Sequence, residues 1–437
     1  MVEPARAGTG EGGEADPAPA GWQIALAAFA AAVYLGVHLG LNPAGGDEDG
    51  AAVDGMASIN QAIVLIGGLA VAVRARRACL AAAVDVWPIL PLLALAAGSA
   101  LWSQAPDATL RRSLTLATLV IFAVQAHATL GAAALCRIQV GVTWLVALAS
   151  FAAALLVPAS GLDTGDYAGA VRGVFTQKNS LGDAMVVGML ALCGLVLARR
   201  RLAWGDLATL ALALVTCRLA QSTTAFVLCG LVAGATLVCL LLFDGGALAG
   251  FGLATLAMGI ALAAFTVVAE PVDLYGVLGK DGTLTGRSQI WAAVHDAIAR
   301  RPTLGYGYSA FWIPDTHAAE DVWAAIGWTA PSAHNGYLET RLDLGAAGLA
   351  ALAGLAAATL ALAALALGAG RGGIAAWAVI VLAVMAIYNL DESLLPHPGA
   401  HLLQWLLAAA ACNRAWRLRG GCRPAPAARA VPRPPPR

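Results

Sequence analysis

The residues best suited to chemistry are His334-Asn335-Gly336-Tyr337, which stand at the mouth of a hydrophobic helix near the end of a long polar stretch. Upstream lies Thr285-Gly286-Arg287-Ser288-Gln289-Ile290-Trp291, and downstream Asn389-Leu390-Asp391-Glu392-Ser393. A histidine titrates near neutral pH, so His334 is a candidate general base that could take the proton of a hydroxyl nucleophile. Asn335, Tyr337, Asp391 and Glu392 could orient that base or hold an acceptor. Polar groups next to a bilayer are costly unless paired, so their clustering suggests a site. Taken singly, each is better explained as an ordinary interfacial polar residue.

A second group carries positive charge. Gly173-Val174-Phe175-Thr176-Gln177-Lys178-Asn179-Ser180-Leu181-Gly182 sits where a loop becomes a helix, with Asn179 or Ser180 as candidate caps. Backbone donors there, with Lys178 and Arg172, would cradle an anion, although a plain cap with an anchoring lysine fits as well. Arg218 and Gln221-Ser222-Thr223-Thr224 make a similar turn. Arg287 opens an amphipathic stretch, an unfavourable place for a cation unless an anion offsets the helix dipole. Arg172, Lys178, Arg218 and Arg287 could together hold a diphosphate, which asks for several donors.

These residues must be positioned by membrane helices. The chain is 59% hydrophobic and only 12% charged, with mean hydropathy +0.75, against about a quarter charged in soluble domains. The expected fold is therefore an all-α integral membrane protein of about twelve transmembrane helices. The spans fall at 22–41, 57–73, 82–101, 113–135, 138–158, 179–198, 202–220, 223–243, 247–269, 343–368, 374–390 and 399–413. They form one polytopic domain, 22–413, between a Gly/Ala/Pro-rich tail, 1–21, and a basic, Pro-rich tail, 414–437. One large extracytoplasmic loop, about 270–335, is long enough to act as a lid.

Arginines after the even-numbered spans (Arg74, Arg76, Arg77, Arg137, Arg199, Arg200, Arg201, Arg371, Arg414, Arg417) share one face if both termini are cytoplasmic. Arg111, Arg112, Arg172, Lys178, Arg218, Arg287, His334, Asp391 and Glu392 then share the outer face, where the positive-inside rule disfavours arginine. An extracytoplasmic site for an anionic substrate accounts for that placement. In the loop, Ile290, Trp291, Val294 and Ile298 mark a helical stripe lying on the membrane or packed over the spans. Tyr306, Tyr308, Phe311, Trp312, Trp323 and Trp328 suit sugar stacking or an interfacial belt.

Other chemistries have little support. The eight cysteines form no Cys-x-x-Cys pair, which argues against a disulfide framework or zinc site. Asp163-Thr164-Gly165-Asp166 offers two carboxylates, but such turns are common. No metal and no cofactor is expected. No glycine loop for nucleotide phosphates is seen, so no ATP-driven step is expected.

Four motifs in order resemble the O-antigen ligase/polymerase family: Gly-x-Phe-x-x-Lys-Asn-x-Leu-Gly (173–182), Gly-Arg-x-x-Ile-Trp (286–291), Pro-x-x-Gly-x-Gly (302–307) and His-Asn-x-Tyr-Leu-x-x-x-x-x-Leu-Gly (334–345). Asn-Leu-Asp-Glu-Ser-x-Leu (389–395) is most similar to its exopolysaccharide-polymerase branch. The resemblance implies a GT-C-like inverting glycosyltransferase that uses undecaprenyl-diphosphate-linked glycans at the outer face of the bacterial inner membrane. It implies His334 as base and Arg172, Arg218 and Arg287 as diphosphate ligands. The family often has Ser-Arg or Ser-Lys at the 221–224 turn, where this chain has Ser222-Thr223. Partners would be the lipid-linked glycan, membrane lipid and a chain-length regulator, with no nucleic acid. Polymerase is the preferred expectation, ligase to lipid A-core the alternative, and a glycan-lipid transporter without chemistry a third.

Overall fold

The computed structural model describes residues 20–37, 50–164, 167–241, 287–314 and 316–418, with residues 50–57, Arg287 and Ser288 described by backbone only. Among these residues the chain is helical, and its one β feature is an isolated bridge between Leu162 and Val171. The helices are α1 (Gly21–Tyr34), α2 (Gly50–Arg74), α3 (Arg76–Ala83), α4 (Leu90–Gly98), α5 (Pro106–Thr129), α6 (Ala132–Leu156), α7 (Pro158–Gly161) and α8 (Lys178–Arg199). After these come α9 (Trp204–Leu219), α10 (Thr223–Leu241), α11 (Arg287–Arg300), α12 (His317–Ile326), α13 (Gly336–Gly368), α14 (Gly372–Tyr388) and α15 (Ala400–Arg417).

Among the described residues, α6, α8, α10 and α13 are long and apolar enough to cross a membrane. The pair α3 plus residues 87–101 makes a fifth if counted as one bent span, and three shorter apolar helices accompany them. That is fewer than the twelve expected, and the expected span 247–269 lies outside the described residues. The 82–101 segment is not one straight helix: it bends by 61°. Pro88 and Pro91 remove backbone donors there, and two 3-10 turns flank α4. The expected break at 136–137 falls instead at Leu130-Gly131, and Arg137 lies inside α6.

Helix α8 is the hub. In its membrane-length window 78% of residues are buried, against 28–33% in α6, α10 and α13, so α8 is enclosed by protein while the others keep a face for lipid. It packs on α6, α9, α10 and α14, and the Trp377 indole of α14 donates to its Leu190 carbonyl at 2.9 Å. Leu145, Leu148 and Leu155 of α6 and Val227 and Leu231 of α10 stay exposed. At the end where α8 and α15 finish, buried Asp85 accepts from Arg417 at 2.9 Å beside His127 at 3.7 Å, and Arg199 pairs with Asp206.

Helix α13 has 33 residues, about 50 Å of helix against a hydrocarbon core of about 30 Å. It is interrupted at Gly345, whose φ of 62° and ψ of −155° are not helical. The Pro302–Gly307 segment repairs the gap. Tyr306 and Gly307 donate to the Leu342 and Asp343 carbonyls at 2.8 and 2.9 Å. In return, Ala346 and Ala347 donate to the Pro302 and Thr303 carbonyls at 2.8 and 3.1 Å. A Cβ at Gly345 would come within 2.3 Å of the Thr303 backbone, so glycine is required both for its φ and for this contact.

This docking carries a satellite core. Ile290, Val294 and Ile298 of α11 bury against Phe311, Val322 and Leu338. The stripe therefore packs on protein, which settles one of the two expectations for it. The aromatic expectation needs correction: Tyr306, Tyr308 and Phe311 are core residues, with Tyr306 and Phe311 edge to face at 5.1 Å. Apolar rings in a core this small contribute more by filling it than by waiting for a sugar. Trp328 alone of the six is exposed, at 43%.

Gly345→Ala should cost at least about 2 kcal/mol through strain and backbone collision. Gly354→Ala, in the same helix with open space around it, should be neutral or stabilise by up to about 1 kcal/mol. Thermal melting of both variants in detergent checks the contrast.

Candidate functional site

Four separated stretches meet at the end where α8, α13 and α15 begin. The first turn of α8 supplies Lys178 and Asn179, the α9–α10 turn supplies Gln221–Thr224, the entry to α13 supplies His334–Tyr337, and the segment after α14 supplies Asn389–Ser393.

The His334 imidazole faces a carboxylate, with Nδ1 3.6 Å from Oε2 of Glu392. That nitrogen is buried and lacks a hydrogen bond, while the side chain as a whole keeps 24% exposure. Glu392 also accepts from the Asn179 amide at 3.0 Å. Asn179 is thus a ligand of the acidic segment rather than the cap expected for α8, whose N-cap position is Gln177 with no side-chain bond. The buried Lys178 ammonium donates to Asn179 Oδ1 at 3.4 Å and to the Gln221 carbonyl at 3.2 Å, and lies 3.9 Å over the Tyr167 ring. Thr224 donates to Asp391. Below this layer Tyr388 donates to Asp183.

The histidine is held by its neighbours' backbone. His334 itself has φ of 49°, a left-handed conformation that a non-glycine residue adopts at a cost. Asn335 caps α13: its Oδ1 accepts the Tyr337 and Leu338 N–H groups at 3.0 and 3.1 Å. Its own N–H donates to Ser393 Oγ at 3.1 Å. The Gly336 N–H reaches the Asn389 and Glu392 carbonyls at 2.8 and 3.1 Å. A Cβ on Gly336 would lie 1.9 Å from Asn389 Oδ1, so this seam closes only around glycine. The Tyr337 hydroxyl is spent on the Ala386 carbonyl at 2.9 Å.

On the other side of His334 the Ala333 peptide is gripped twice. Its carbonyl accepts the Trp291 indole N–H at 2.9 Å, and its N–H donates to Glu339 Oε2 at 2.8 Å. Glu339, only 2% exposed, also accepts the Trp312 indole N–H at 2.9 Å and the Ser393 hydroxyl at 3.5 Å. One turn further on, Asp343 bonds His397 Nε2 through Oδ2 at 3.2 Å. Burial alone would lower the His397 pKa. The bond to Asp343 and the charges of Asp343 and Glu339 outweigh it and raise the imidazole above its ordinary value. Sequence reasoning missed Glu339, Asp343 and His397. The available signal was an i, i+4 pair of acids just after His334 and a second histidine five residues past Glu392.

The expected cations are not gathered to the same degree. The Arg172 guanidinium donates to the carbonyls of Ser160 at 2.9 Å, Ala159 at 3.2 Å and Thr176 at 3.5 Å, which shapes the loop leading into Lys178. Arg218 is exposed in the last turn of α9, whose Leu219 carbonyl accepts from Val171 at 2.9 Å. The Arg287 side chain lies outside the described residues, as do Gly165 and Asp166 of the acidic turn.

Residues 186–353 match the family described as O-antigen ligase, a stretch that includes Arg218, Arg287 and His334. Over this stretch the chain is similar to O-antigen ligase/polymerase-like proteins. It is 30% identical over 272 residues to the exopolysaccharide production protein ExoQ of Rhizobium meliloti (strain 1021), a region covering 57% of this chain and 59% of that relative. The chain thus spans less than two thirds of the relative's length. The apolar helices and this similarity together support a multi-pass membrane protein.

Trp312→Phe keeps the ring that packs edge to face on Phe311 at 4.8 Å but strips one donor from buried Glu339. A loss of about 1–3 kcal/mol in thermal stability is expected, and a change under about 0.3 kcal/mol would remove Glu339 from the fastening of this loop.

Proposed function

We propose that the protein is a polysaccharide polymerase of the bacterial inner membrane, working at the extracytoplasmic face. It transfers a glycan from undecaprenyl diphosphate to a hydroxyl of another lipid-linked repeat unit. The observation that carries this reading is the His334–Glu392 pair, built from two loops that also bring Lys178 and Asn179 to the same end. A carboxylate facing one imidazole nitrogen favours one ring orientation through its charge and leaves the other nitrogen as the base.

In the reaction the acceptor O–H gives its proton to His334. The acceptor oxygen forms a bond to the anomeric carbon as the bond to the diphosphate oxygen breaks, and the electron pair leaves with the diphosphate. Attack opposite the leaving group inverts the anomeric centre. The diphosphate is already an activated leaving group, so the step asks for no covalent intermediate. Lys178, Arg218 and Arg287 are the cations proposed to hold it. Arg172 joins them in this proposal, although three of its bonds go to backbone carbonyls.

The similarity to an exopolysaccharide production protein favours polymerisation, and the family description favours ligation as the second reading. Mass analysis of lipid-linked glycans in a deletion strain separates them. A single accumulated repeat unit is expected for a polymerase. Long polymer stranded on the carrier would make the protein a ligase, and no change would sink the glycosyltransferase reading.

For the residues, His334→Ala should abolish transfer with membrane insertion unchanged. Glu392→Gln should lower kcat by about 10² or more, as expected when the carboxylate that orients an imidazole base is lost. Full activity in His334→Ala would remove the base assignment.

A further inference from the structure

Glu339, Asp343 and His397 form a second polar cluster whose role is not explained by glycan transfer. Glu339 and Asp343 are four residues apart, hence on one face of α13, and His397 comes to that face from the segment before α15. One ligand atom from each of the three lies within 4.8 Å of the others. Glu339 is 2% exposed and Asp343 0%, whereas the His397 side chain keeps 30% exposure and so leaves a way in.

Two carboxylates this close and this dry need a cation between them or a proton on one of them. The donors present meet the need only in part. Glu339 takes its hydrogen bonds from Trp312, Ala333 and Ser393, and His397 reaches one oxygen of Asp343. The other, Oδ1, is buried with no partner at all. A buried polar atom of this kind calls for an occupant.

We propose that Glu339, Asp343 and His397 bind a divalent first-row ion, Mn²⁺ or Zn²⁺. Two carboxylate oxygens and one imidazole nitrogen are a donor set such ions accept. Ligand atoms at about 2.1 Å from a tetrahedral ion lie about 3.4 Å apart, near the 3.2 Å between His397 Nε2 and Asp343 Oδ2. The ion clamps the first two turns of α13 to the 389–399 segment. Its role is structural, and no step of the transfer passes through it. The proposal is independent of the transfer chemistry.

The test uses the full chain in detergent or nanodiscs. The protein is stripped with EDTA, exchanged into MnCl₂ or ZnCl₂ and desalted, then its metal content and melting temperature are measured. About one equivalent of ion per chain is expected, with a melting temperature that falls on stripping and returns on reloading. Asp343→Asn should lose the ion. Should that variant fail to fold, His397→Gln, at the more exposed ligand, should lower metal retention at least tenfold while keeping the helical circular dichroism of the wild type. Wild type without retained ion, or folded variants that retain it as well as wild type, would overturn the site. Transfer activity is read separately, so a failed metal test leaves the polymerase reading standing, and a failed transfer test leaves the metal site standing.

Discussion

An interrupted helix beside a membrane leaves amide and carbonyl groups that must find partners within the protein, and this constraint organises the end of the molecule that holds His334. At Gly345 the partners come from Pro302–Gly307, in four reciprocal backbone bonds. Once that segment is docked, α11 and the 306–312 aromatics fold over the start of α13 and bury Ile290, Val294 and Phe311. Trp291 and Trp312 then stand where their indole N–H groups reach Ala333 and Glu339. The position of His334 is therefore a downstream consequence of how a helix break was repaired.

Charge is handled by the same logic. Each ionic group in this region is met by a donor or acceptor from a different element: Lys178 by the Gln221 carbonyl, Glu392 by Asn179 and His334, Asp391 by Thr224. Desolvated charges are tolerated when their bonds are made locally, and removing one partner costs more than the pair contributes. The network thus ties α8, α10, α13 and α14 together at the level where they leave the apolar layer. Asp183 and Tyr388 extend it one turn deeper along α8 and α14.

Much of this was legible because polar side chains stand out in a chain of 59% hydrophobic residues. Lys178-Asn179, Gln221–Thr224, His334-Asn335 and Asp391-Glu392 were visible for that reason, and the chain brings them together. Glu339 and Asp343 were hidden because hydropathy places the start of a span at 343, and the acids before it read as its polar edge. Their inward direction depends on the Gly345 break, which no local propensity announces. The sequence carries no record of the Ala159 and Ser160 carbonyls that curl back toward Arg172. The ring-bearing residues of 306–312 read as surface for the same reason: the core they fill is assembled from α11, α12 and the first turns of α13, far apart in the chain.

The arrangement also bears on chemistry against transport. A carrier that alternates must break and remake contacts around its binding site in every cycle. Here the groups around His334 are locked from both sides: Gly336 to the Asn389 and Glu392 carbonyls, Asn335 to Ser393, Ala333 to Trp291 and Glu339, and Asn389 Oδ1 to the Leu395 N–H at 2.9 Å. The close fit of Gly336 on Asn389 leaves no room for sliding. Moving α13 against the 389–395 segment would strand several buried donors and acceptors at once, at about 1–3 kcal/mol each. A rigid imidazole–carboxylate pair gains from such fastening, because proton transfer rewards fixed geometry. The energetic cost that would hinder a carrier is the property that suits a catalyst.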